Sequence, residues 1–414
     1  MAGKLLKRLG IGFALFAVVL VVLGTGGYIY LRNSEWWVAV TLFHDDYRAE
    51  NFRTMHELFP SAPVHAGSDV WHWSRDERPL SEHYLFEDEE RSVQEFLTRT
   101  ETTGLLVAHD GTILHESYMQ GYDASSLITS FSVAKTFASV LVGLAIADGY
   151  IDSVHDPITD YVPELRGGPY DGISIHHILT MSSGVAFDEN YESFFSDIMW
   201  LPSRVFGFGE PIDQILNELE REREPGIYNN YVSSDTLALS LLISRATGRP
   251  VTEYLEQRLW RPAGMESTAY WNTDRHGNAL THAFLSARLQ DFARLGRLYL
   301  NHGRRDGVQV VPEDWVTESL YRDWEAEPHL APGENPDSFW EFGYGYKWWI
   351  PEDPEGDFVA IGIWGQYIYV HPQYNIIIAK TATDYYFDDN DHENIAFFRA
   401  VAREMGAGIA AQME

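Results

Sequence analysis

The chain contains no cysteine among its 414 residues. Without thiols it can form no disulfide bond, thiolate metal site, cysteine nucleophile or lipidated cysteine anchor. Basic residues are also few, since 30 lysines and arginines face 61 aspartates and glutamates, for a formal net charge of −31. Such a surface repels nucleic acid, because nucleic-acid binding depends on neutralising phosphates with basic side chains. We therefore expect no nucleic-acid partner and attribute the acidity to solubility.

Two common hydrolase motifs are absent as well. No G-x-S-x-G and no H-E-x-x-H sequence occurs, which argues against an alpha/beta-hydrolase and against a zinc protease of the H-E-x-x-H type. Four aspartates near the carboxyl end lack the spacing and the glycine of a calcium loop, and we interpret them as a solvated loop: Asp384, Asp388, Asp389 and Asp391. We expect no metal site.

A long apolar run lies near the amino terminus. Residues 10–31 carry no charge and are numerous enough to cross a bilayer as a helix. Lys4, Lys7 and Arg8 precede the run, which by the positive-inside rule leaves the amino terminus in the cytoplasm. A cleavable signal peptide is the competing interpretation, but its apolar core would be shorter and followed by a small-x-small site. We predict an uncleaved anchor in a bacterial inner membrane, with the remaining chain periplasmic or extracellular.

The rest of the chain predicts one mixed domain behind a spacer. The predicted divisions are a basic cytoplasmic segment at 1–9, the transmembrane anchor at 10–31, an irregular extension at 32–88 and a hydrolase domain at 89–414. Asp110-Gly111 between two apolar strands indicates a hairpin. Further strands are predicted at 345–350, 358–363, 366–370 and 375–380, with short helices predicted at 89–100 and 395–403. These patterns predict an α/β (α+β) fold: one antiparallel sheet built from both ends, flanked by helices, with a mainly helical lobe inserted at about 140–335.

Ser132 and Lys135 stand three residues apart at the start of an apolar run over 130–145. Residues with this spacing lie on one face of a helix, so the hydroxyl and the amine can touch. A serine hydroxyl becomes nucleophilic when a base removes its proton. A buried lysine can be that base, because burial disfavours its charged form. S-x-x-K also occurs by chance, so the pair taken alone fits a solvated surface pair better than a catalytic one.

Two further segments could complete such a site. Tyr231 lies in the segment 227–236, before an amphipathic helix at 237–243. Gly362 and Gly365 adjoin a strand, where glycine allows another backbone or a ligand to approach closely. Taken singly, each segment also fits a structural role. The first fits a turn with a stacked tyrosine, and the second fits a strand edge at which glycine relieves steric crowding.

Together and in this order, Ser132-x-x-Lys135, the Tyr231 segment and the glycine-flanked strand resemble the serine beta-lactamase, penicillin-binding-protein and related esterase superfamily. The likeness is strongest to the branch with class C beta-lactamases, esterases of that fold and 6-aminohexanoate-dimer hydrolases. It covers about residues 103–403 and includes the segments 173–184, 287–296 and 342–346. The resemblance implies a beta-lactamase-like fold, a small ester or amide substrate, and no metal or organic cofactor.

The resemblance also implies roles for single residues. Ser132 would be the acylated nucleophile, Lys135 its partner and Tyr231 a relay for protons. Because a nearby ammonium favours the phenolate, Lys135 and Tyr231 are expected to titrate as a coupled pair. The backbone N–H groups of Ser132 and Gln366 would form the oxyanion hole. Five residues are expected to bind substrate, although the last also fits a structural role: Ser233, Tyr191, Gly365, Trp364 and His282.

Two positions depart from the beta-lactamase pattern. Ser233 stands where many relatives have asparagine, and serine there is a feature we associate with the 6-aminohexanoate-dimer hydrolases. Ile363-Trp364-Gly365 occupies the place of K-T-G or H-T-G, so the cation that grips a beta-lactam carboxylate is missing. We therefore predict a serine hydrolase acting on an ester or a linear amide.

Other functions stay open at this stage. A peptidoglycan D,D-carboxypeptidase or a beta-lactamase is the enzymatic alternative. A non-catalytic cell-envelope sensor or scaffold of the same fold is the alternative from another class. The sequence reveals neither the natural substrate nor the oligomeric state.

Overall fold

The structure is a computed structural model that describes residues 2–32 and 34–413. Its α-helices are α1 Ala2–Arg32, α2 Glu35–Thr41, α3 Arg48–Leu58, α4 Val93–Arg99, α5 Ala134–Ala147, α6 Ile175–Leu179, α7 Asp197–Pro202, α8 Ile212–Asn217, α9 Ser233–Thr247, α10 Val251–Leu255, α11 Leu289–Leu300, α12 Glu313–Leu320 and α13 Phe387–Met413. Its strands are β1 Ser61–Val64, β2 Ser74–Arg75, β3 His83–Phe86, β4 Glu89–Ser92, β5 Thr102–His109, β6 Thr112–Tyr118, β7 Ile128–Thr129, β8 Ala269–Asn272, β9 Leu285–Ala287, β10 Arg304–Arg305, β11 Val308–Gln309, β12 Gly343–Tyr344, β13 Trp349–Ile350, β14 Phe358–Gly362, β15 Gln366–His371 and β16 Ile376–Ala382.

The main sheet joins the two ends of the hydrolase region. Its strand order is β12-β13-β14-β15-β16-β5-β6-β2, and β16 pairs antiparallel with β5. The predicted beta-lactamase-like sheet built from both ends is thereby confirmed. One edge differs from the prediction, because the short strand β2 pairs parallel with β6. The predicted Asp110-Gly111 hairpin is present, and Asp110 takes a left-handed backbone conformation with φ +44°.

Both faces of this sheet are covered, which explains why its central strands are almost wholly apolar. Successive side chains of a strand point to opposite faces. Along β16, Ile376 and Ile378 pack in one cluster with Phe397 and Phe398 of α13. Ile377 packs on the other face, in a cluster with Leu289 and Ala293 from the start of α11. The helical lobe therefore lies on one face and the carboxyl-terminal helix on the other.

Residues 32–88, predicted to be an irregular extension, instead contain helices and strands. Helix α3 buries Phe52 and Met55, and β1 forms the edge of a second sheet of order β1-β8-β9-β7. Pro63 lies within β1, where it is tolerated because an edge strand needs no amide hydrogen on its outer side. These elements are too short to show a clear periodicity in the sequence. They gain their stability from packing on the hydrolase region.

Three other element predictions need correction. The helix expected at 89–100 begins only at Val93, because residues 89–92 pair as a strand with β3. In place of the single strand expected at 345–350, two short strands lie at 343–344 and 349–350. The closing helix is much longer than the predicted 395–403.

Helix α1 is the predicted membrane-spanning element. Its window Leu15–Arg32 has a mean hydropathy of 1.8, and length and composition suffice for crossing a membrane. A signal sequence near an amino terminus has the same properties. Lys4, Lys7 and Arg8, which predict the orientation, have side chains outside the described part of the structure.

Candidate active site

Ser132 lies at the entrance to the buried helix α5. It belongs to a 3-10 turn, Phe131–Val133, that runs directly into the helix. Phe131, just before it, has φ +42°, a left-handed conformation that costs energy for an aromatic residue. Ser132 is 8% exposed, so its hydroxyl reaches solvent only through the cavities beside it. Backbone strain of this kind clusters at functional sites.

Lys135 touches Ser132 as the spacing predicts. Its Nζ donates to Ser132 Oγ at 2.8 Å and to the backbone carbonyl of His282 at 2.8 Å. Burial lowers the pKa of Lys135 to about 7, although the negative charge of Glu189 acts in the opposite direction. A large fraction of this amine is therefore neutral near pH 7, and a neutral Nζ can accept the serine proton.

Tyr231 also contacts the hydroxyl of Ser132 and lies in the loop that leads into α9. Its ring stacks on Trp349 with centroids 5.2 Å apart, and Lys135 Nζ is 4.9 Å from the ring centre. Burial, then the charge of Glu189, raises the pKa of Tyr231 above its usual range, while a hydrogen bond with Ser132 acts in the lowering direction. The expectation that the lysine would favour a phenolate is therefore wrong. Tyr231 stays a phenol and can donate a proton.

Glu189 is the residue that the sequence analysis missed. Its carboxylate accepts hydrogen bonds from the backbone N–H of Ser233 at 2.8 Å, from the hydroxyl of Ser233 at 2.6 Å and from the phenol of Tyr191 at 2.7 Å. It thereby joins the loop before α7 to the start of α9. Sequence reasoning singled out Tyr191 in the same run, but a glutamate two residues away carries no signal without the fold.

Gly362 brings the two expected oxyanion-hole residues together. It pairs with Gln366 across the hairpin from β14 to β15. A Cβ atom on Gly362 would lie 3.1 Å from the backbone nitrogen of Ser132 and 3.2 Å from Gln366 Cβ. The absence of a side chain therefore permits the Ser132 turn to approach the start of β15 closely.

Trp364 and Gly365, predicted to bind substrate, border neither cavity beside Ser132. Trp364 is buried and stacks on Phe43 with centroids 5.5 Å apart. Ile363 borders both cavities instead. Neighbouring residues in a hairpin turn point in different directions, so Ile363 faces the cavities while Trp364 packs away from them.

Two cavities meet at Ser132. The larger has a volume of about 700 Å³ and is bordered by Tyr191, Tyr231, Trp340 and Trp349. Its border also contains five carboxyl groups: Asp188, Glu189, Glu192, Asp388 and Asp391. Among the residues that the structure describes, this border includes no lysine, arginine or histidine. The smaller cavity has about 20 Å³ and is mainly apolar.

The acidic segment near the carboxyl end contributes Asp388 and Asp391, both in α13, to the larger cavity. Asp384 and Asp391 are 1% and 3% exposed, so the interpretation of these aspartates as a solvated loop is wrong for both. Burial raises the pKa of Asp391 to about 8 and that of Asp388 to about 6. Asp388 and Asp391 stand three apart in α13 and so share one face of the helix, a spacing that could have indicated a common environment.

His282 and Ser233 both border the smaller cavity. The imidazole of His282 is 2% exposed, and burial followed by the positive charge of Lys135 holds its pKa well below the usual range. Its Nδ1 has no hydrogen-bond partner among residues 2–32 and 34–413. The hydroxyl of Ser233 donates its hydrogen bond to the carboxylate of Glu189. These two side chains therefore shape the cavity as neutral groups.

Comparisons with known proteins agree with this geometry. A family model described as Beta-lactamase matches residues 90–402. The 6-aminohexanoate-dimer hydrolase of Paenarthrobacter ureafaciens is 29% identical over 300 residues, which cover 70% of this chain and 75% of that protein. Penicillin-binding protein 4* of Bacillus subtilis (strain 168) is 26% identical over 179 residues, 41% of this chain and only 38% of that protein. The solved structure of a candidate 6-aminohexanoate-dimer hydrolase from Bacillus anthracis has a TM-score of 0.79 at 22% identity, covering 88% of this chain and 96% of that one.

Proposed function

Because the chain belongs to the beta-lactamase family and is a serine hydrolase, we propose that it cleaves an ester or a linear amide through an acyl-enzyme on Ser132. The observation that carries this proposal is the 2.8 Å contact between Ser132 Oγ and the Nζ of buried Lys135. A lysine with a pKa of about 7 is suited to general base catalysis at neutral pH.

The protonation states of Lys135 and Tyr231 determine how acylation proceeds. Neutral Lys135 takes the proton of Ser132 as its oxygen forms a bond to the substrate carbonyl carbon. The backbone N–H groups of Ser132 and Gln366 stabilise the negative charge on the carbonyl oxygen. The bond from the carbonyl carbon to the leaving group then breaks, and the leaving group receives a proton from the phenol of Tyr231. Lys135, now protonated, returns that proton to Tyr231.

Deacylation repeats these steps with water as the nucleophile. Water loses a proton to Lys135 and adds to the acyl carbon. The bond between the acyl carbon and Ser132 Oγ breaks, a carboxylic acid is released, and the serine regains its proton. No further reactant is required for the balance of the two steps.

The charge of the larger cavity supports an ester or linear amide over a beta-lactam or a peptidoglycan stem peptide. Both of the latter carry a carboxylate that is suited to a cationic partner, and among the described residues the border of this cavity includes carboxyl groups but no basic side chain. Like charges placed close together repel each other and lower affinity. The similarity to a 6-aminohexanoate-dimer hydrolase, whose name describes a dimer of an amino acid, supports an amide as the bond that is cleaved.

We propose further that α1 is an uncleaved membrane anchor. Most of its large apolar side chains that the structure describes, among them Phe16, Val21 and Leu23, are more than half exposed, as expected for residues facing lipid. The amino terminus would remain in the cytoplasm and the hydrolase region would lie outside it. Fractionation of cells producing the full chain, followed by amino-terminal sequencing, tests this: a soluble product lacking residues before about 30 contradicts it.

A substrate panel tests the enzymatic proposal. The purified full chain in detergent is assayed on p-nitrophenyl esters, linear amide oligomers, D-amino peptides and nitrocefin, with Ser132→Ala as the control. We expect turnover of an ester or linear amide that disappears in Ser132→Ala. Nitrocefin as by far the best substrate would contradict the proposed specificity.

A fluorophosphonate probe separates the enzyme from a non-catalytic sensor or scaffold. Such probes form a covalent adduct with an activated serine. We expect an adduct on Ser132 in the wild type and none in Ser132→Ala. An unlabelled wild type, under conditions that label a related enzyme, would favour the scaffold.

A further inference from the structure

We propose that the smaller cavity holds the acyl group of the substrate and that Phe43 restricts this group to a short apolar chain. The inference rests on the proposed acyl-enzyme at Ser132 and deepens it, because it names the acyl class. Phe43 belongs to the segment between α2 and α3, outside the three motifs that carry the chemistry.

The smaller cavity is suited to a small apolar group. It begins at Ser132 and is bordered by apolar side chains that include Phe43, Ile198, Phe284 and Ile363. Its volume of about 20 Å³ is only slightly more than a single water molecule requires. A water there would need at least two polar partners; the hydroxyl of Ser233 is already bonded to Glu189, which leaves the hydroxyl of Ser132 and the Nδ1 of His282 at this border. The rest of the border is mainly apolar, so a methyl or ethyl group that enters the cavity and displaces such a water gains apolar contacts.

The position of Tyr231 decides which part of the substrate enters which cavity. An alkoxide or amine leaving group must gain a proton as its bond to the carbonyl carbon breaks. Tyr231, the proposed donor, borders the larger cavity but not the smaller one. The leaving group therefore occupies the larger cavity, next to the phenol. The acyl group, on the other side of the carbonyl carbon, then extends into the smaller cavity.

Phe43 borders this cavity and is held in place by contacts with two other aromatic rings. Its ring stacks on Trp364 at 5.5 Å with an interplanar angle of 17°, and it lies 6.2 Å from the ring of Phe131. Phe131 precedes Ser132 in the chain, and Trp364 lies in the turn before Gln366. Movement of Phe43 would therefore disturb the packing of both expected oxyanion-hole residues. A longer acyl chain cannot displace it without that cost.

The test measures acyl-chain preference with one constant leaving group. Hydrolysis of p-nitrophenyl acetate, butyrate and hexanoate is measured for the full chain in detergent, as wild type, Phe43→Ala and Phe43→Leu. We expect the kcat/KM of the wild type to fall by about tenfold or more from acetate to hexanoate, since one poorly accommodated methylene alone changes discrimination by about that factor. The hexanoate-to-acetate ratio should rise by about tenfold in Phe43→Ala and by less in Phe43→Leu.

Tyr47→Ala is the matched control. Tyr47 lies in the same segment, is 39% exposed and borders neither cavity, so its removal should leave the ratio at the wild-type value. Thermal unfolding and fluorophosphonate labelling confirm that each variant is folded. If Phe43→Ala does not fold, Phe43→Leu decides, because it keeps an apolar side chain in contact with Trp364.

The outcomes separate this inference from the proposed function. An active wild type with no preference for short chains, or an unchanged ratio in a folded Phe43 variant, overturns the assignment of the smaller cavity and leaves the acyl-enzyme proposal standing. A wild type that hydrolyses no ester or amide overturns the proposed function and this inference with it.

Discussion

Lys135 and Lys380 are both buried lysines, yet their surroundings differ. Lys135 Nζ contacts Ser132 Oγ and the carbonyl of His282 at 2.8 Å each. Lys380 Nζ has no hydrogen-bond partner among the residues that the structure describes. It lies 5.5 Å from the ring centre of Phe96 and 5.4 Å from that of Tyr367. Burial lowers the pKa of Lys135 to about 7 and that of Lys380 to about 8.

The difference shows that burial alone does not produce a base. Both amines lose a proton far more easily than a lysine in water, because desolvation disfavours the ammonium. Only Lys135 has an alcohol within hydrogen-bond distance, so only its neutral form can activate a nucleophile. Lys380 instead lies near Asp384 and Asp391, whose negative charges partly offset the lowering of its pKa by burial. The two lysines therefore provide a matched pair for experiments.

Removing each amine in turn should give the largest contrast. Lys135→Met should lower kcat/KM toward the upper end of the roughly 10²- to 10⁴-fold range of general base catalysis, because Lys135 is the proposed acceptor of the serine proton. Lys380→Met should remain close to the wild type. Steady-state kinetics on the best ester of the panel measures both. Equal losses in the two variants would contradict the division of roles.

Removing the phenol should have a smaller effect that depends on the leaving group. Tyr231→Phe keeps the stacking on Trp349 but cannot donate a proton. We expect a loss of about 10²-fold on an alkyl amide, whose amine must be protonated to leave. The loss on a p-nitrophenyl ester should be smaller, because nitrophenolate leaves without a proton. Equal losses on both substrates would argue against Tyr231 as the donor.

The pH dependence of the wild type should follow Lys135. Below its pKa of about 7 the amine is protonated and cannot accept the serine proton, so kcat/KM should fall by about tenfold for each pH unit. Above pH 7 this limb of the profile should be flat. Lys380→Met should show the same acid limb. If the acid limb shifted in Lys380→Met, the titration would belong to Lys380 and the prediction would be contradicted.

The smallest effect should be on stability. Folded Lys380 loses its proton at about pH 8 and unfolded lysine at 10.5, so the unfolded state binds more protons between these values. The free energy of unfolding of the wild type therefore gains a contribution as pH rises through this window, and the lysine costs stability below it. Lys380→Met should lack that contribution. Urea unfolding at pH 7.5 and pH 10 measures the difference, and an equal change in both proteins would contradict the shifted pKa.

The predictable parts of the fold share a local signal. The hairpin at Asp110-Gly111 was predictable because the turn residues and the apolar strands lie together in the chain. Helix α3 and strand β1 were not, because they are short and owe their order to distant partners such as Phe131 and Tyr270. Local periodicity cannot report a contact with a residue two hundred positions away.

The candidate site divides in the same way. Ser132, Lys135, Tyr191, Tyr231 and Ser233 all border or adjoin the cavities, as the motifs predict. Glu189 and Phe43 were missed, because a glutamate in a loop and a phenylalanine before a helix have no distinctive spacing. Trp364 was assigned to substrate because a motif specifies a turn but not the direction of each side chain in it.

The order of residues along the chain was enough to place a hydroxyl and an amine in contact, since a three-residue separation at the start of a helix is a local property. It was also enough to identify the family and an apolar amino-terminal segment. The tertiary structure alone decided how easily the amine loses its proton, which cavity is acidic and which ring closes the other. Those properties depend on desolvation and on charges brought together from remote parts of the chain, and neither can be read from neighbouring residues.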